Sequence, residues 1–267
     1  MAQSVDESVV FVTGTGTTVV TASFTPLDNC ILVVCGFCNG EGAEVLAITD
    51  SVDGATGWTT RVIRNSTEAG QDNGVAVIAT KEFTTGHAAR TVTMTRSGGT
   101  GANHKGMKVY QITDYDTSDP VDVVGENDTT TNDLTTTVFT ATKAGRAYAA
   151  YGDWNASGAP ATSDETGEYT YHSAGNYSGM VHKKSAGHAA GAVSMNFNGG
   201  GTAGVAAVWV AIAIADAAAG GAVPIAAKSM YYHLAGGMRH HRETERRPSG
   251  LYVVKGGYDL RNLRRAA

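Results

Sequence analysis

The sequence predicts an all-β protein: two tandem antiparallel β-sandwich, jelly-roll-like domains followed by an extended basic C-terminal arm. Short β-branched runs recur at intervals of roughly ten residues, as is typical of sandwiches and barrels. Clusters of Gly, Asn, Asp and Ser separate these runs, and no stretch shows a capped helical period. The 42% of hydrophobic residues is enough for a core, which excludes a wholly disordered chain.

The first half contains eight candidate strands. One of them alternates cleanly: in Arg90–Arg96, Val92 and Met94 share a face with the two flanking arginines, and three threonines line the other face. This period of two predicts one face on a core and one face toward water. The predicted strands are Val9–Val12, Thr17–Thr25, Cys30–Phe37, Glu44–Thr49, Trp58–Arg64, Val75–Lys81, Arg90–Arg96 and Lys108–Thr113.

The second half repeats features of the first. Gly86-His87-Ala88-Ala89 recurs as Gly187-His188-Ala189-Ala190, and an apolar run follows each copy. Several matches in the same order indicate a duplication. The duplication pairs Val92 with Val193 and Met94 with Met195, and it predicts that Phe24 and Phe139 are buried at matching sites.

Two predicted linkers divide the chain into three predicted parts. The polar, proline-stopped segment 114–120 separates a first sandwich, residues 1–116, from a second, residues 117–218. The small-residue segment 217–222 precedes the arm, residues 219–267.

The C-terminal arm differs from the rest of the chain in charge. Residues 223–267 carry nine Lys and Arg against three Asp and Glu, a net charge of +6, and the remaining 11 basic and 22 acidic residues give residues 1–222 a net charge of −11. Such a basic arm reaches for an acidic surface or folds back on its own acidic body. Tyrosine and arginine are enriched in interfaces. We therefore predict partner-binding residues Tyr231, Tyr232, Arg239, Arg242, Arg246, Arg247, Tyr252, Tyr258, Arg261, Arg264 and Arg265.

The three cysteines resemble the start of an iron–sulfur spacing, Cys30-x4-Cys35-x2-Cys38. That cluster needs a fourth thiolate, which this sequence lacks. A β pleat also places Cys35 on the face opposite Cys30 and Cys38. We therefore predict that all three are small buried side chains of a core strand.

Other candidate sites have simpler interpretations. The Gly-rich run 13–18 lacks the helix that a phosphate loop requires. Asp114, Asp116 and Asp119 are predicted to form a solvated linker rather than a calcium site, since the loop glycine is missing. His240, His241, Glu243 and Glu245 are predicted to form a polar contact patch rather than a zinc site. No catalytic residue, cofactor or metal is predicted, and the expected protein is not an enzyme.

The chain start shows neither a basic nor an apolar signal region, and the longest apolar stretch, residues 203–215, is too short to span a bilayer. We expect no membrane partner. Free thiols fit assembly in a reducing cytoplasm.

Four short motifs carry a resemblance to a known class: Phe24-Thr25-Pro26, Leu32-Val33-Val34, Ile48-Thr49-Asp50-Ser51 and Gly57-Trp58-Thr59. They resemble β-sandwich modules of head and tail accessory proteins in tailed-bacteriophage virions, over residues 20–113. In the second repeat only residues 163–167 take the place of the Asp50–Trp58 segment.

This resemblance implies a non-enzymatic virion protein, assembled in the bacterial cytoplasm and forming homo-oligomers. The favoured role is a capsid decoration or cement protein anchored to neighbouring capsid or tail subunits by its arm, with a protein rather than nucleic acid as partner. One alternative is a tail or baseplate structural protein. Another is a carbohydrate-binding module that contacts a host-surface glycan through Trp58, Trp154 or Trp209, of which Trp209 is predicted to be core.

Overall fold

A computed structural model describes ten segments of the chain, and every regular element within them is a β-strand. Contacts divide the chain into two compact units, Met1–Ala219 and Gly220–Ala267. The described segments are residues 2–40, 45–66, 73–98, 104–129, 133–153, 166–171, 177–198, 207–217, 243–246 and 252–255.

Nine strands form the first half of the larger unit. The predicted strands are present with shifted ends, except that the run Val9–Val12 is a strand only from Val12 and a short N-terminal strand was not predicted. The strands are β1 (Ser4–Asp6), β2 (Val12–Gly14), β3 (Thr18–Val20), β4 (Cys30–Gly40), β5 (Val45–Asp50), β6 (Thr59–Asn65), β7 (Asn73–Phe83), β8 (Val92–Ser97) and β9 (Lys105–Thr113).

Seven strands form the second half, and two more form a hairpin in the smaller unit. Those of the second half are β10 (Val121–Thr129), β11 (Asp133–Ala141), β12 (Gly145–Asp153), β13 (Thr166–Tyr171), β14 (Ser178–Lys183), β15 (Gly191–Asn198) and β16 (Ala207–Ala215). In the smaller unit β17 (Glu243–Arg246) pairs antiparallel with β18 (Tyr252–Lys255).

The two halves repeat one strand order. The first forms a large sheet, β1-β9-β4-β7-β6 with β2 also on β9, and a small sheet, β3-β8-β5. The second forms a large sheet, β10-β16-β12-β14-β13, and a small pair, β11-β15. The matching order supports the inferred duplication, with β8 and β15 in equivalent places. Val92, Met94, Val193 and Met195 are all buried on them.

The predicted match between Phe24 and Phe139 is wrong. Phe24 is only partly buried and bridges Arg90, whereas Phe139 is buried and lies opposite Val193. The residue bonded to Val92, the equivalent of Val193, is Thr21. Phe24 lies beyond the end of β3, whereas Phe139 lies within β11, where a bulge turns two consecutive residues, Val138 and Phe139, into the core.

Three hydrophobic cores separate four layers of sheet in the larger unit. One core lies between each large sheet and its own small sheet, and the third lies between the two large sheets. The side chains of strand β4 alternate between two of these cores. Ile31 and Val33 face the shared core, and Leu32 and Val34 face the core under β8. One face of each large sheet is therefore buried against the large sheet of the other half.

The N-terminal segment joins the two halves. Strand β1 pairs with β9 of the first half, and the Gln3 side chain just before it reaches the second half. Its amide donates to the carbonyl of Ile214, and its oxygen accepts from the Tyr148 hydroxyl at 3.3 Å. The Gln3 backbone N–H donates to Asp216 Oδ1 at 3.3 Å. These bonds satisfy buried polar groups at one end of the shared core.

Close packing around the Phe37 ring in the shared core depends on glycine, as Gly179 shows. A Cβ at Gly179 on β14 would overlap the Phe37 ring, which enters the core from β4. We expect Gly179→Ala to lower the free energy of unfolding by about 1–3 kcal/mol through overpacking. Gly14→Ala is the matched control, since its Cβ would make only ordinary contacts, and we expect a change within about 0.5 kcal/mol. Urea unfolding of both variants measures the difference, and equal midpoints would contradict this account of the core.

Candidate functional site

Two of the four motifs quoted from the sequence meet in one compact turn after β5. Asp50 Oδ1 accepts hydrogen bonds from the backbone N–H groups of Val52, at 2.9 Å, and Asp53, at 2.8 Å. Asp50 Oδ2 accepts from the Trp58 indole at 2.9 Å. Gly57 has φ of 80°, a left-handed conformation that favours glycine. The Thr-Asp-Ser and Gly-Trp-Thr motifs therefore meet directly, through Asp50 and Trp58.

Two cations from neighbouring elements complete this turn. Lys81 Nζ on β7 lies 2.7 Å from Asp50 Oδ2 and 2.8 Å from Asp53 Oδ2. Arg90 Nη1 lies 3.2 Å from Asp50 Oδ1 and 2.7 Å from Asp53 Oδ2. The Phe83 ring contacts both cations, with its centroid 5.4 Å from Lys81 Nζ and 4.6 Å from Arg90 Cζ. Two positive and two negative charges thus balance; we call these four charged residues the Asp50 network.

The Asp50 network keeps its carboxylates charged. Burial alone raises the pKa of the Asp50 carboxyl, but hydrogen bonds from Lys81, from the Asp53 and Val52 amides and from Trp58 outweigh it and hold that pKa well below its usual range. Hydrogen bonds from Lys81 and Arg90 also lower the pKa of Asp53. Both carboxylates are therefore engaged with donors. The arrangement suits a structural link between the small sheet and the large sheet better than it suits a role in acid–base chemistry.

One feature of the sequence indicates this network. Arg90 was predicted on the core face of its strand, and its side chain is indeed only 3% exposed. A buried guanidinium requires a carboxylate partner. The sequence does not predict Asp50 and Lys81 as members of this network. They lie far apart along the chain, and no local pattern places them together.

A lysine from another segment, Lys143 between β11 and β12, pairs with the acidic linker. Lys143 Nζ lies 3.0 Å from Asp116 Oδ2 and 2.8 Å from Asp119 Oδ2. Asp122 Oδ2 accepts from the backbone N–H groups of Thr142 and Lys143. Hydrogen bonds from Ser118 and Lys143 lower the pKa of Asp116. Within the described residues, no group of three or more His, Cys, Asp or Glu side chains is placed to hold a metal ion.

The cysteines lie as the pleat predicts. Cys30 and Cys38 face one core and Cys35 faces the shared core, and all three are buried thiols outside any disulfide. Burial raises the pKa of the Cys30 thiol to about 11, and it raises that of Cys35 further. Because the thiolate is the reactive form, these groups are poor nucleophiles and ligands at neutral pH.

The tryptophans proposed as a sugar platform have other contacts. Trp209 is 4% exposed and stacks on Phe197, with ring centroids 5.7 Å apart, so the prediction that it is core is confirmed. Trp58 is partly buried and bonds to Asp50. Trp154 lies outside the described residues.

Most predicted partner-binding residues of the arm lie outside the described residues. Two lie on the hairpin, where Arg246 of β17 pairs in register with Tyr252 of β18. Of the residues of the polar patch, Glu243 pairs in register with Lys255, Glu245 lies on the same strand, and the two histidines are not described. The partner-binding residues outside the description are Tyr231, Tyr232, Arg239, Arg242, Arg247, Tyr258, Arg261, Arg264 and Arg265.

A groove of about 620 Å³ separates the edge strands β6 and β10 of the two large sheets. Its polar lining includes Arg61 and Glu126. Arg64 closes one side by bonding Asp128, and it lies 3.7 Å from Glu126. The Arg61 Nε donates to Thr80 at 2.7 Å. The lining brings together no nucleophile and base, so the groove has the character of a sheet-edge contact.

Comparison with known proteins gives no relative for this chain. No family model matches it, and neither a search of curated proteins nor a search of solved structures finds a match. In the described part of the chain no helix has the length and apolar character needed to cross a bilayer.

Removing the charge of Asp50 tests the network. We expect Asp50→Asn to lower the free energy of unfolding by about 3–5 kcal/mol, because the buried cations Lys81 and Arg90 then share the single carboxylate of Asp53, and one buried positive charge is left without compensation. Asp53→Asn is the matched control: the side chain of Asp53 is 42% exposed, so we expect a clearly smaller loss. Urea denaturation measures both. An equal loss in the two variants would show that Asp50 has no special role.

The same variant gives a pH dependence with a defined sign. The Asp50 pKa is lower in the folded state than the value of about 3.9 in an unfolded chain. Its contribution is therefore complete above that value and is lost as pH falls toward the folded pKa. We expect the stability difference between the native chain and Asp50→Asn to be constant above about pH 5 and to shrink below about pH 4. A difference that grows on acidification would contradict the assignment.

Proposed function

We propose that the chain is a non-enzymatic structural component of a tailed-bacteriophage virion, a capsid decoration or cement protein. A tail or baseplate position is the alternative within the same class. The observation that carries the proposal is the contrast between a β-layered acidic body, residues 1–222 with a net charge of −11, and a basic segment of net charge +6 that follows it. The basic segment serves as an anchoring arm.

The strand order supports a jelly-roll-like description of each half. With β1 and β2 counted as one strand, the first half has eight strands. The first, eighth, third, sixth and fifth are neighbours in the large sheet, and the second, seventh and fourth form the small one. We infer two jelly-roll-like sandwiches followed by an extended arm. Jelly rolls serve viral capsid and lectin domains alike, so this support is at the level of fold alone.

The charged groups of the body support a scaffold role. The described carboxylates of the Asp50 network and the linker engage lysine or arginine within the same chain. These ion pairs link sheets and strands. They leave no reactive pair of side chains among these charged residues to act on a substrate. A rigid module of this kind suits a protein that is repeated many times on a particle.

The arm supports anchoring through its chemistry. Arginine has a planar fork that binds carboxylates with two hydrogen bonds and also stacks on aromatic rings. Tyrosine adds contact area that salt does not screen. We propose that the arm docks on acidic surfaces of neighbouring capsid or tail subunits, including other copies of this chain, in a virion assembled in the bacterial cytoplasm.

Charge reversal in the full chain tests the arm. We expect replacement of Arg239, Arg242, Arg246 and Arg247 by Glu to lower the number of copies per purified particle at least tenfold, a change of about 1.4 kcal/mol or more. Replacement of the same four by Lys is the control, since it keeps the charge and should retain most of the incorporation. Quantitative mass spectrometry of particles made with each variant gives the copy number.

Three outcomes would redirect the proposal. Equal incorporation of the Glu and Lys variants would remove the anchoring role. Saturable binding of the isolated chain to a glycan, lost on substitution of Trp58 or Trp154, would favour the carbohydrate-binding alternative. Binding to DNA with a steep loss of affinity as salt rises would indicate a nucleic-acid partner, because a docked protein arm with tyrosine contacts depends on salt less strongly.

A further inference from the structure

Lys81 and Asp50 meet in a site shielded from solvent, between the large and the small sheet of the first half. Their side chains are only 7% and 0% exposed, and Lys81 Nζ lies 2.7 Å from Asp50 Oδ2. The carboxyl carbon of Asp50, Cγ, is one bond further and lies at most about 4 Å from Nζ. An amine and a carboxyl group held this close are reactants for an amide bond, because proximity replaces a bimolecular encounter.

The second carboxyl oxygen of Asp50 is surrounded by the donors that such a reaction requires. Oδ1 accepts hydrogen bonds from the backbone N–H groups of Val52 and Asp53, at 2.9 and 2.8 Å, and from Arg90 Nη1 at 3.2 Å. Attack of an amine on Cγ develops negative charge on this oxygen, and donors already aimed at it stabilise the tetrahedral oxyanion. The two backbone amides that help to lower the Asp50 pKa therefore also favour the intermediate.

Neighbouring side chains supply a proton acceptor and a cover for the amine. Asp53 Oδ2 lies 2.8 Å from Lys81 Nζ, so a carboxylate other than the attacked one contacts the nucleophile. The Trp58 indole donates to Asp50 Oδ2 at 2.9 Å. The rings of Trp58 and Phe83 have their centroids 5.8 and 5.4 Å from Lys81 Nζ. These rings restrict the access of bulk water, which would hydrolyse an amide formed here.

We propose that Lys81 and Asp50 form an intramolecular isopeptide bond, with Asp53 as the group that carries a proton during the reaction. The freshly folded chain holds the ion pair described above, and the amide forms from that pair with time. The bond joins β7 of the large sheet covalently to the end of β5 in the small sheet. The inference does not depend on the proposed virion role.

The reaction needs no co-reactant. The Lys81 ammonium first gives one proton to Asp50 Oδ2 along their hydrogen bond, which converts the ion pair into its neutral tautomer. Nζ then attacks Cγ, an N–C bond forms, and the negative charge moves to Oδ1. Asp53 takes the second proton from the nitrogen and returns it to Asp50 Oδ2, which leaves as water when the C–O bond breaks. One ammonium and one carboxylate thus become one amide and one water molecule, with no oxidation or reduction.

Two other lysine–carboxylate pairs are more exposed and suit this reaction less well. The side chain of Lys143 is 34% exposed, and that of its partner Asp119 is 65% exposed. Glu7, the partner of Lys183, is 31% exposed. Water solvates the charged groups of such pairs, which opposes the neutral tautomer from which the amide forms. We therefore expect one isopeptide bond, and the loss of one water molecule, in each chain.

Intact mass spectrometry of the denatured full chain tests the proposal over a time course of incubation at neutral pH. We expect a species about 18 Da lighter than the sequence predicts, and its fraction should rise with time. Lys81→Arg keeps the positive charge but has no amine to acylate, so it should retain the full mass. Lys143→Ala is the matched control and should lose water as the native chain does. Thermal unfolding checks that each variant is folded.

The role of Asp53 has a kinetic readout. We expect Asp53→Ala to slow the loss of water at least about tenfold, because general acid–base catalysis contributes a factor of this size or more. This variant leaves Lys81 and Asp50 in place, so the rate reports on proton transfer rather than on the presence of the reactants. A rate equal to that of the native chain would overturn the assignment of Asp53.

Peptide mapping locates the bond. Trypsin cuts after Lys and Arg but not after a lysine whose amine is acylated, so the bond should yield a branched peptide of residues 1–61 joined to residues 65–90. Its absence, or a native chain that keeps its full mass throughout the incubation, would overturn the proposal. A loss of water that Lys81→Arg retains would do the same, because cyclisation of an aspartate such as Asp53, which precedes Gly54, also releases water.

Discussion

The fold depends on burying the strand β4 on both faces. Its side chains alternate between the shared core, through Cys35 and Phe37, and the core under β8, through Cys30 and Cys38. A strand in this position cannot carry an unpaired charge on either face. The same holds for its neighbours β7 and β9, yet both carry lysines. The positions of Lys81, Lys105 and Lys108 therefore determine where the rest of the chain must supply oxygen atoms.

The chain supplies those oxygens from elements outside the large sheet. Asp50 and Asp53, at the end of the small sheet, bind Lys81. The N-terminal segment provides backbone carbonyls, that of Gly16 to Lys105 and that of Glu7 to Lys108, the latter at 3.1 Å. Each bond also fixes a segment in place, so the buried lysines act as attachment points for the turn after β5 and for residues 7–16. The order of this half thus depends on ion pairs and carbonyl contacts as well as on apolar packing.

The features that the sequence could predict are those set by local interactions along the chain. The pleat placed Cys35 opposite Cys30 and Cys38, and it placed Val92, Met94, Arg90 and Arg96 on the core face, because a period of two is a local property of the chain. The Asp50–Lys81 pair and the contact of Gln3 with Ile214 join residues far apart in sequence, and no local pattern specifies them. The β11 bulge likewise arises from pairing with β15, and no local pattern of that strand shows it. The predicted joint between the halves gave no sign that they share a core.

The repeated strand order gives a physical reason for the shared core. Each large sheet is apolar on both faces, so a half standing alone would expose one of them to water. Two similar halves joined by a short segment meet at a high effective concentration, which makes their association effectively intramolecular. The packing of β6 against β10 across the halves then brings Arg64 to Asp128, and the N-terminal residues close the other end. Contacts that would otherwise form between two chains are thus satisfied within one.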